Sequence, residues 1–261
     1  MKLQNKVVFV TDADNEVGKS VVKRLSEEGA SLILNSGSGG GALAGELADI
    51  REAGRQALVV NVDLSSGEEV ADMLAAAEEA LGSVDVLVHN QALVRKASVE
   101  TCEEALFLES LKINAKTAFF CTRAVGRQMQ RKQAGSIIYV SSIHAEKPTG
   151  SSFAFSVSKG AVKMLAKEAA LVLGRSGVRV NTIELGPLDG REDGELFGSD
   201  FSTLYRDYEY KVPNASLGTS DDLAELVLFL STDGSRYVNG SDIRLDGGFL
   251  LHYMNHKMKR P

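Results

Sequence analysis

Short runs of β-branched and other apolar residues recur along the chain at Val7 to Val10, Leu32 to Leu34, Ala57 to Val62, Val84 to His89, Ser136 to Ser141, Val178 to Ile183 and Ile243 to Leu245. Helical patterns lie between them, among them Gly41 to Ala53, Glu68 to Leu81, Glu103 to Arg131, Phe153 to Leu173 and Asp221 to Leu230. Strands that are apolar without alternation must be covered on both faces, and intervening amphipathic helices supply the cover. The expected fold is α/β, a doubly wound parallel sheet of seven strands with helices on both faces.

The 261 residues, 44% hydrophobic, suit one α/β core, and no linker divides them, so residues 1–261 are expected to form a single domain. With 35 acidic against 29 basic residues the formal net charge is −6, which argues against nucleic acid or an anionic membrane as a partner. The locally basic tail, His256-Lys257-Met258-Lys259-Arg260, reads as a solvated terminus. Cys102 and Cys121 form no paired framework and fit a reducing compartment. Lys2, Asn5 and Lys6 break up the start and no apolar stretch is long enough to span a bilayer, so a cytoplasmic location is expected.

Two segments break the rhythm. Asn35 to Gly41 is Gly/Ser-rich and reads as a flexible turn. Residues 186–214 are long and irregular, with Phe197, Phe201, Tyr205, Tyr208 and Tyr210 among acids, and are expected to act as a lid or an interaction loop.

The turn Thr11-Asp12-Ala13-Asp14-Asn15-Glu16-Val17-Gly18 joins the first strand to the first helix. A strand, a tight turn and a helix form the opening unit of a dinucleotide-binding fold, where glycines let the backbone approach a pyrophosphate at the helix N-terminus. Here the turn carries three carboxylates instead. Helix N-termini favour negative charge, so Asp14 or Glu16 is expected to substitute internally for a cofactor phosphate. A calcium loop is the weaker alternative, because the glycine comes one place late and Lys23 stands where the closing glutamate belongs; no metal is expected.

Further fragments follow in a fixed order: Asn61-Val62-Asp63-Leu64, His89-Asn90-Gln91-Ala92, Lys112-Ile113-Asn114-Ala115, Val140-Ser141-Ser142, Phe155-Ser156-Val157-Ser158-Lys159, Tyr237-Val238-Asn239-Gly240 and Asp246-Gly247-Gly248. Along essentially its whole length the chain resembles the short-chain dehydrogenase/reductase family. The resemblance implies a Rossmann-like fold. It places the family's TGxxxGxG motif over Thr11 to Gly18, its adenine-side aspartate at Asp63 and its NNAG motif over His89 to Ala92, with Asn90 second. It also implies a structural and catalytic asparagine at Asn114, a catalytic serine at Ser142 and the YxxxK motif over Phe155 to Lys159.

The departures bear on function. Asp12 stands at the first glycine and Glu16 at the second, leaving Gly18, the position that permits close packing. A carboxylate about 4 Å from a phosphate oxygen costs roughly 4 kcal/mol at an effective dielectric of 20. After the second strand, Asn35, Ser36 and Gly37 select neither NAD nor NADP. Phe155 has the ring of the family tyrosine without the hydroxyl, so the proton donor is absent. Lys159 then reads as a donor to loop carbonyls and Ser142 as a cap on the fifth strand. His144, two places past Ser142, is a possible substitute acid/base, with His89 a weaker one and Tyr205, Tyr208 and Tyr210 able to reach in from the long loop. Ala92 adds a methyl at the last NNAG position, and Leu185 stands where the family usually has proline.

Together these losses lead to the expectation of a non-catalytic subunit. It would bind no cofactor itself and would assemble, in a hetero-oligomer such as a tetramer, with a competent short-chain dehydrogenase carrying NAD or NADP. The family pairs through its long helices, here Glu103 to Arg131 and Phe153 to Leu173. Heteromeric acyl-CoA-linked alcohol dehydrogenases of the (hydroxyphenyl)methylsuccinyl-CoA type, whose non-catalytic subunit this chain resembles, are the concrete form. The alternative is an active oxidoreductase, or a non-redox enzyme, using Ser142, His144 and Lys159.

Overall fold

A computed structural model describes residues 1–189 and 211–251. Its strands are β1 (Val7–Val10), β2 (Ser31–Asn35), β3 (Ala57–Val60), β4 (Val86–His89), β5 (Gly135–Ser142), β6 (Val178–Leu185) and β7 (Asp242–Leu245). They form one sheet in the order β3-β2-β1-β4-β5-β6-β7, every pair parallel. The order reverses between β1 and β4, which opens a crevice beyond the carboxyl ends of these two strands, the usual ligand position of a doubly wound sheet. The expected seven-stranded, Rossmann-like α/β fold is what the chain adopts.

The helices are α1 (Glu16–Glu27), α2 (Ala44–Glu52), α3 (Gly67–Leu81), α4 (Glu104–Ser110), α5 (Thr117–Lys132), α6 (Phe153–Leu173) and α7 (Ser220–Ser231). Alternate strand residues feed two cores. Val8, Val10, Leu32, Leu34, Val86 and Val88 pack with Val21, Val22 and Leu25 of α1 and with Leu223, Val227 and Leu228 of α7. Val7, Phe9, Ile33, Leu87, Ile137 and Tyr139 pack with Val70 and Leu74 of α3, Val125 and Met129 of α5, and Val162 and Ala166 of α6. Burying a Val, Leu, Ile or Phe side chain contributes about 1.5–3 kcal/mol relative to leaving it in water, so the period-two alternation holds helices on both faces.

The helix expected over Glu103 to Arg131 is interrupted. Residues Leu111–Lys116 form a π-helical turn between α4 and α5, and its Asn114 is fully buried. A π-turn frees side-chain and backbone groups from the regular ladder, and such turns often mark functional sites. The Asn35 to Gly41 segment, expected to be a flexible turn, is stapled: Gly40 N–H donates to Ser36 Oγ at 2.7 Å and Ala42 N–H to Ser38 Oγ at 2.9 Å. The expected loop at 186–214 lies mostly outside the described residues, as do Phe197, Phe201, Tyr205, Tyr208, Tyr210 and the basic tail. Among the described residues, no helix is long and apolar enough to cross a membrane.

Candidate functional site

The β1–α1 turn does not distribute its acids as the sequence suggests. Asn15, not Asp14 or Glu16, caps α1: its Oδ1 accepts the N–H of Gly18 at 2.7 Å. Asp12 takes a left-handed conformation, φ +48°, which an aspartate tolerates better than most residues. Its Oδ2 accepts from Asn15 Nδ2 at 2.8 Å. Burial raises the Asp12 carboxyl above its ordinary value, against the lowering influence of the Asn15 hydrogen bond and the Lys159 charge. Asp14 leaves the helix altogether and accepts from Ser36 Oγ at 2.6 Å and Ser38 N–H at 2.8 Å, beyond the end of β2. Glu16 is exposed. Asp12 and Asp14 therefore turn to separate partners while Glu16 faces solvent, and the three form no common ligand set.

Gly18 keeps its packing role, though against the turn rather than the sheet. A Cβ there would lie 2.5 Å from the Asp12 carbonyl oxygen and 2.8 Å from Ala13. Asn90 locks the same turn to β4. Its N–H donates to Thr11 Oγ1 at 2.9 Å, and its Nδ2 reaches the Asp12 carbonyl at 3.1 Å and Asn15 Oδ1 at 3.0 Å. The N–H groups of Glu16 and Val17, also in the first turn of α1, have no acceptor among the described residues. They are the kind of orphan donors that a helix N-terminus offers to an anion.

Asp63 sits beyond β3, half exposed. Its Oδ1 accepts Ser65 N–H at 2.8 Å and its Oδ2 lies 3.5 Å from Lys112 Nζ. The hydrogen bonds from Ser65, with Lys112 nearby, hold its carboxyl below the ordinary value.

The second half of the site gathers at the carboxyl ends of β4 and β5. Asn114 Oδ1 accepts Leu93 N–H at 2.7 Å, while its Nδ2 donates to Leu93 O at 3.1 Å and Ser158 Oγ at 2.8 Å. The expected kink-holding asparagine thus ties the π-turn, the segment after β4 and α6 together. Lys159 is buried, and its Nζ donates to the carbonyls of Gln91 at 2.8 Å and Val140 at 3.0 Å. It also lies 5.7 Å from the centre of the Phe155 ring, within cation–π range. Ser142 caps the short turn Ile143–Ala145, accepting His144 N–H at 3.2 Å. The His144 imidazole meets the Phe155 ring edge-on, centroids 5.6 Å apart.

His89 does not join this group. It is buried, its Nε2 lies 2.9 Å from Thr117 Oγ1, and burial, with the Lys159 charge, lowers its pKa to about 3. It is a neutral packing residue, not an acid/base. Sequence reasoning missed Asn15 as the helix cap and Ser36 and Ser38 as the seat of Asp14; only the preference of Asn for capping positions could have pointed to the first.

A protein-family profile described as enoyl-(acyl carrier protein) reductase matches residues 13–250. L-rhamnose 1-dehydrogenase (NAD(P)(+)) of Azotobacter vinelandii is 32% identical over 261 residues, covering 97% of this chain and 99% of the relative. The chain belongs to the short-chain dehydrogenase/reductase family. A 3-oxoacyl-(acyl-carrier-protein) reductase of Staphylococcus epidermidis is 28% identical, with 95% of this chain and all of the reductase aligned. The solved structure of an NAD+-bound xylitol dehydrogenase superposes with a TM-score of 0.88 at 28% identity, covering 95% of this chain and all of that one.

These relatives correct two expectations. Full-length similarity to proteins named as dehydrogenases and reductases overturns the non-catalytic subunit, and this short-chain dehydrogenase/reductase is read as an oxidoreductase. The expectation that it binds no cofactor falls with it, since one relative is named for NAD(P)(+) and another was solved with NAD+ bound. The physical reason lies in the turn. The repulsion assigned to three carboxylates presumes that all face the phosphates. Instead, the Asp12 carboxylate is turned onto Asn15 and that of Asp14 onto Ser36 beyond β2. With the Glu16 and Val17 N–H groups available, the frame fits a dinucleotide phosphate.

Proposed function

We propose that the chain is a nicotinamide-dependent oxidoreductase that interconverts a secondary alcohol and its carbonyl, with His144 handling the proton in place of the missing phenol. The observation that carries this reading is the convergence on Phe155: the His144 ring edge-on at 5.6 Å, Lys159 Nζ at 5.7 Å, and Ser142 bonded to the His144 backbone. A nicotinamide, when bound, gives or takes the hydride. The rest falls to the chain. Glu16 and Val17 N–H groups would hold the cofactor's phosphate oxygens, and Asn90 keeps their turn in place. The Ser142 hydroxyl accepts at its oxygen and so has its proton to donate to a substrate oxygen. The His144 imidazole carries a ring nitrogen that can give or take the proton at that oxygen. The buried Lys159 ammonium favours negative charge developing there.

The test mixes the purified chain with NAD+ or NADP+ and L-rhamnose or xylitol, and separately with NADH or NADPH and a 3-oxoacyl thioester. Turnover is expected, and His144→Gln is expected to lower kcat by at least about tenfold and to alter its pH profile. A pH profile unchanged by His144→Gln would remove His144 from the chemistry. Failure to bind either nicotinamide would overturn the reading as a whole.

We also infer that two copies of the chain associate through the outer faces of α5 and α6. A groove of about 390 Å³ runs between these helices, lined by Phe119, Arg123, Arg127, Glu168 and Val172. Exposed Leu171 lies on the same helix as Val172. A patch bearing apolar surface and both signs of charge can complement itself across a twofold axis. Light scattering is expected to give a dimer or higher oligomer, and Val172→Glu a smaller species.

A further inference from the structure

The segment after β2 looks neutral in sequence but is not neutral in the fold. In a doubly wound dinucleotide site an acid at the end of the second strand meets the ribose hydroxyls of NAD, whereas NADP calls for a cation near its added phosphate. Asn35 closes β2, and Ser36 and Gly37 follow. A carboxylate nevertheless stands there, delivered from the β1–α1 turn: Asp14 Oδ1 accepts from Ser36 Oγ at 2.6 Å and Oδ2 from Ser38 N–H at 2.8 Å. A Cβ on Gly37 would lie 3.8 Å from Asp14 Oδ2.

The seat is built. Ser36 Oγ also accepts Gly40 N–H at 2.7 Å, and Ser38 Oγ accepts Ala42 N–H at 2.9 Å, so the serines are fixed before they meet the acid. Burial works to raise the Asp14 carboxyl, but the hydrogen bonds from Ser36 and Ser38 outweigh it and hold the group below its ordinary value, ionised at neutral pH. The chain around it from Ser26 to Ile50 supplies no Lys or Arg of its own.

We propose that Asp14, reaching across from the β1–α1 turn, is the specificity residue that makes this chain select NAD over NADP, by placing an acid where the 2′-phosphate would lie. This rests on the nicotinamide-dependent reading above. The mechanism is repulsion of the extra phosphate, with any carboxylate lone pair left by Ser36 and Ser38 open to a ribose hydroxyl.

Direct binding tests it, read from the fluorescence of the reduced nicotinamide on titration with the full chain. The unmodified chain is expected to bind NADH at least about tenfold more tightly than NADPH, a discrimination within reach of one unscreened like charge. Asp14→Asn keeps an acceptor for Ser38 N–H and is expected to narrow the ratio to within about threefold by tightening NADPH. Adding Gly37→Arg to it supplies the missing cation and is expected to reverse the preference. A ratio near one for the unmodified chain, or a ratio that Asp14→Asn leaves unchanged while circular dichroism shows the fold intact, overturns the assignment. If neither nucleotide binds the unmodified chain, the nicotinamide reading itself fails and the assignment fails with it.

Discussion

The His144 imidazole lies edge-on to Phe155, ring centroids 5.6 Å apart, and Lys159 Nζ stands 5.7 Å from the same Phe155 ring. The phenylalanine is therefore the hub of the polar groups and contributes no proton itself. Restoring a hydroxyl by Phe155→Tyr puts a second proton donor beside Lys159, and kcat is expected to rise by about tenfold or more, the usual scale of a positioned general acid. In that background His144→Gln is expected to cost little, because the phenol takes over. Steady-state rates of the four proteins decide it. Two independent, multiplying effects would show that the histidine and the phenol do not share one task.

Asn114 stitches three elements through one amide, so its removal acts at a distance from the chemistry. Asn114→Ala leaves Leu93 N–H and O without their partner and removes the bond to Ser158 Oγ. Unmade buried hydrogen bonds cost about 1–3 kcal/mol each before relaxation, and water can refill part of the space. A lower thermal midpoint is expected. Because Gln91, which holds Lys159, precedes Leu93 by two residues, kcat is expected to fall more than KM rises. A variant with a lowered midpoint and unaltered kcat would confine Asn114 to scaffolding.

The sheet was legible because continuous apolar runs alternating with amphipathic helical patterns fit a parallel sheet covered on both faces. The helix over Glu103 to Arg131 was legible in kind but not in its break: six residues of π-turn at Leu111–Lys116 shift the helical period too little to disturb a hydrophobic pattern. The acidic turn was misread for a different reason. Sequence shows that Asp12, Asp14 and Glu16 are near a helix start, but not which way each side chain leaves it. The Asp14 contact to Ser36 spans 22 residues and exists only because β1 and β2 are neighbours in the sheet. For the same reason His89 looked available: the last position of β4 points into the core beside Thr117 and Tyr139, a direction set by strand pairing.

That burial makes His89 an acid liability. Its folded pKa, about 3, lies below the ordinary value of 6.5, so the unfolded chain binds the proton more readily. The stability owed to keeping it neutral is complete above about pH 6.5 and is lost as pH falls toward 3. At pH 5 the penalty amounts to about 2 kcal/mol for this one group. The thermal midpoint is expected to drop between pH 7.5 and pH 5, and to drop less in His89→Asn, which retains a polar partner for Thr117. An equal drop in both proteins would place the acid sensitivity elsewhere.

Gly18 gives the sharpest structural test of the turn. Its missing side chain is needed because Asp12 O would lie 2.5 Å from a Cβ and the Ala13 backbone 2.8 Å away, and neither neighbour is a flexible side-chain end that could swing clear. Gly18→Ala must therefore push the turn off α1. Moving it strains the Asn15 cap on Gly18 N–H and the Asn90 clamp on Asp12 O, which depend on the same backbone. Overpacking of this kind costs about 1–3 kcal/mol. The variant is expected to unfold at a lower temperature and to bind reduced nicotinamide more weakly, because displacement of the turn misplaces the Glu16 and Val17 N–H groups. Melting and fluorescence titration of the same sample separate the two effects. A variant with lowered stability and undiminished affinity would show that the cofactor phosphates lie away from the start of α1.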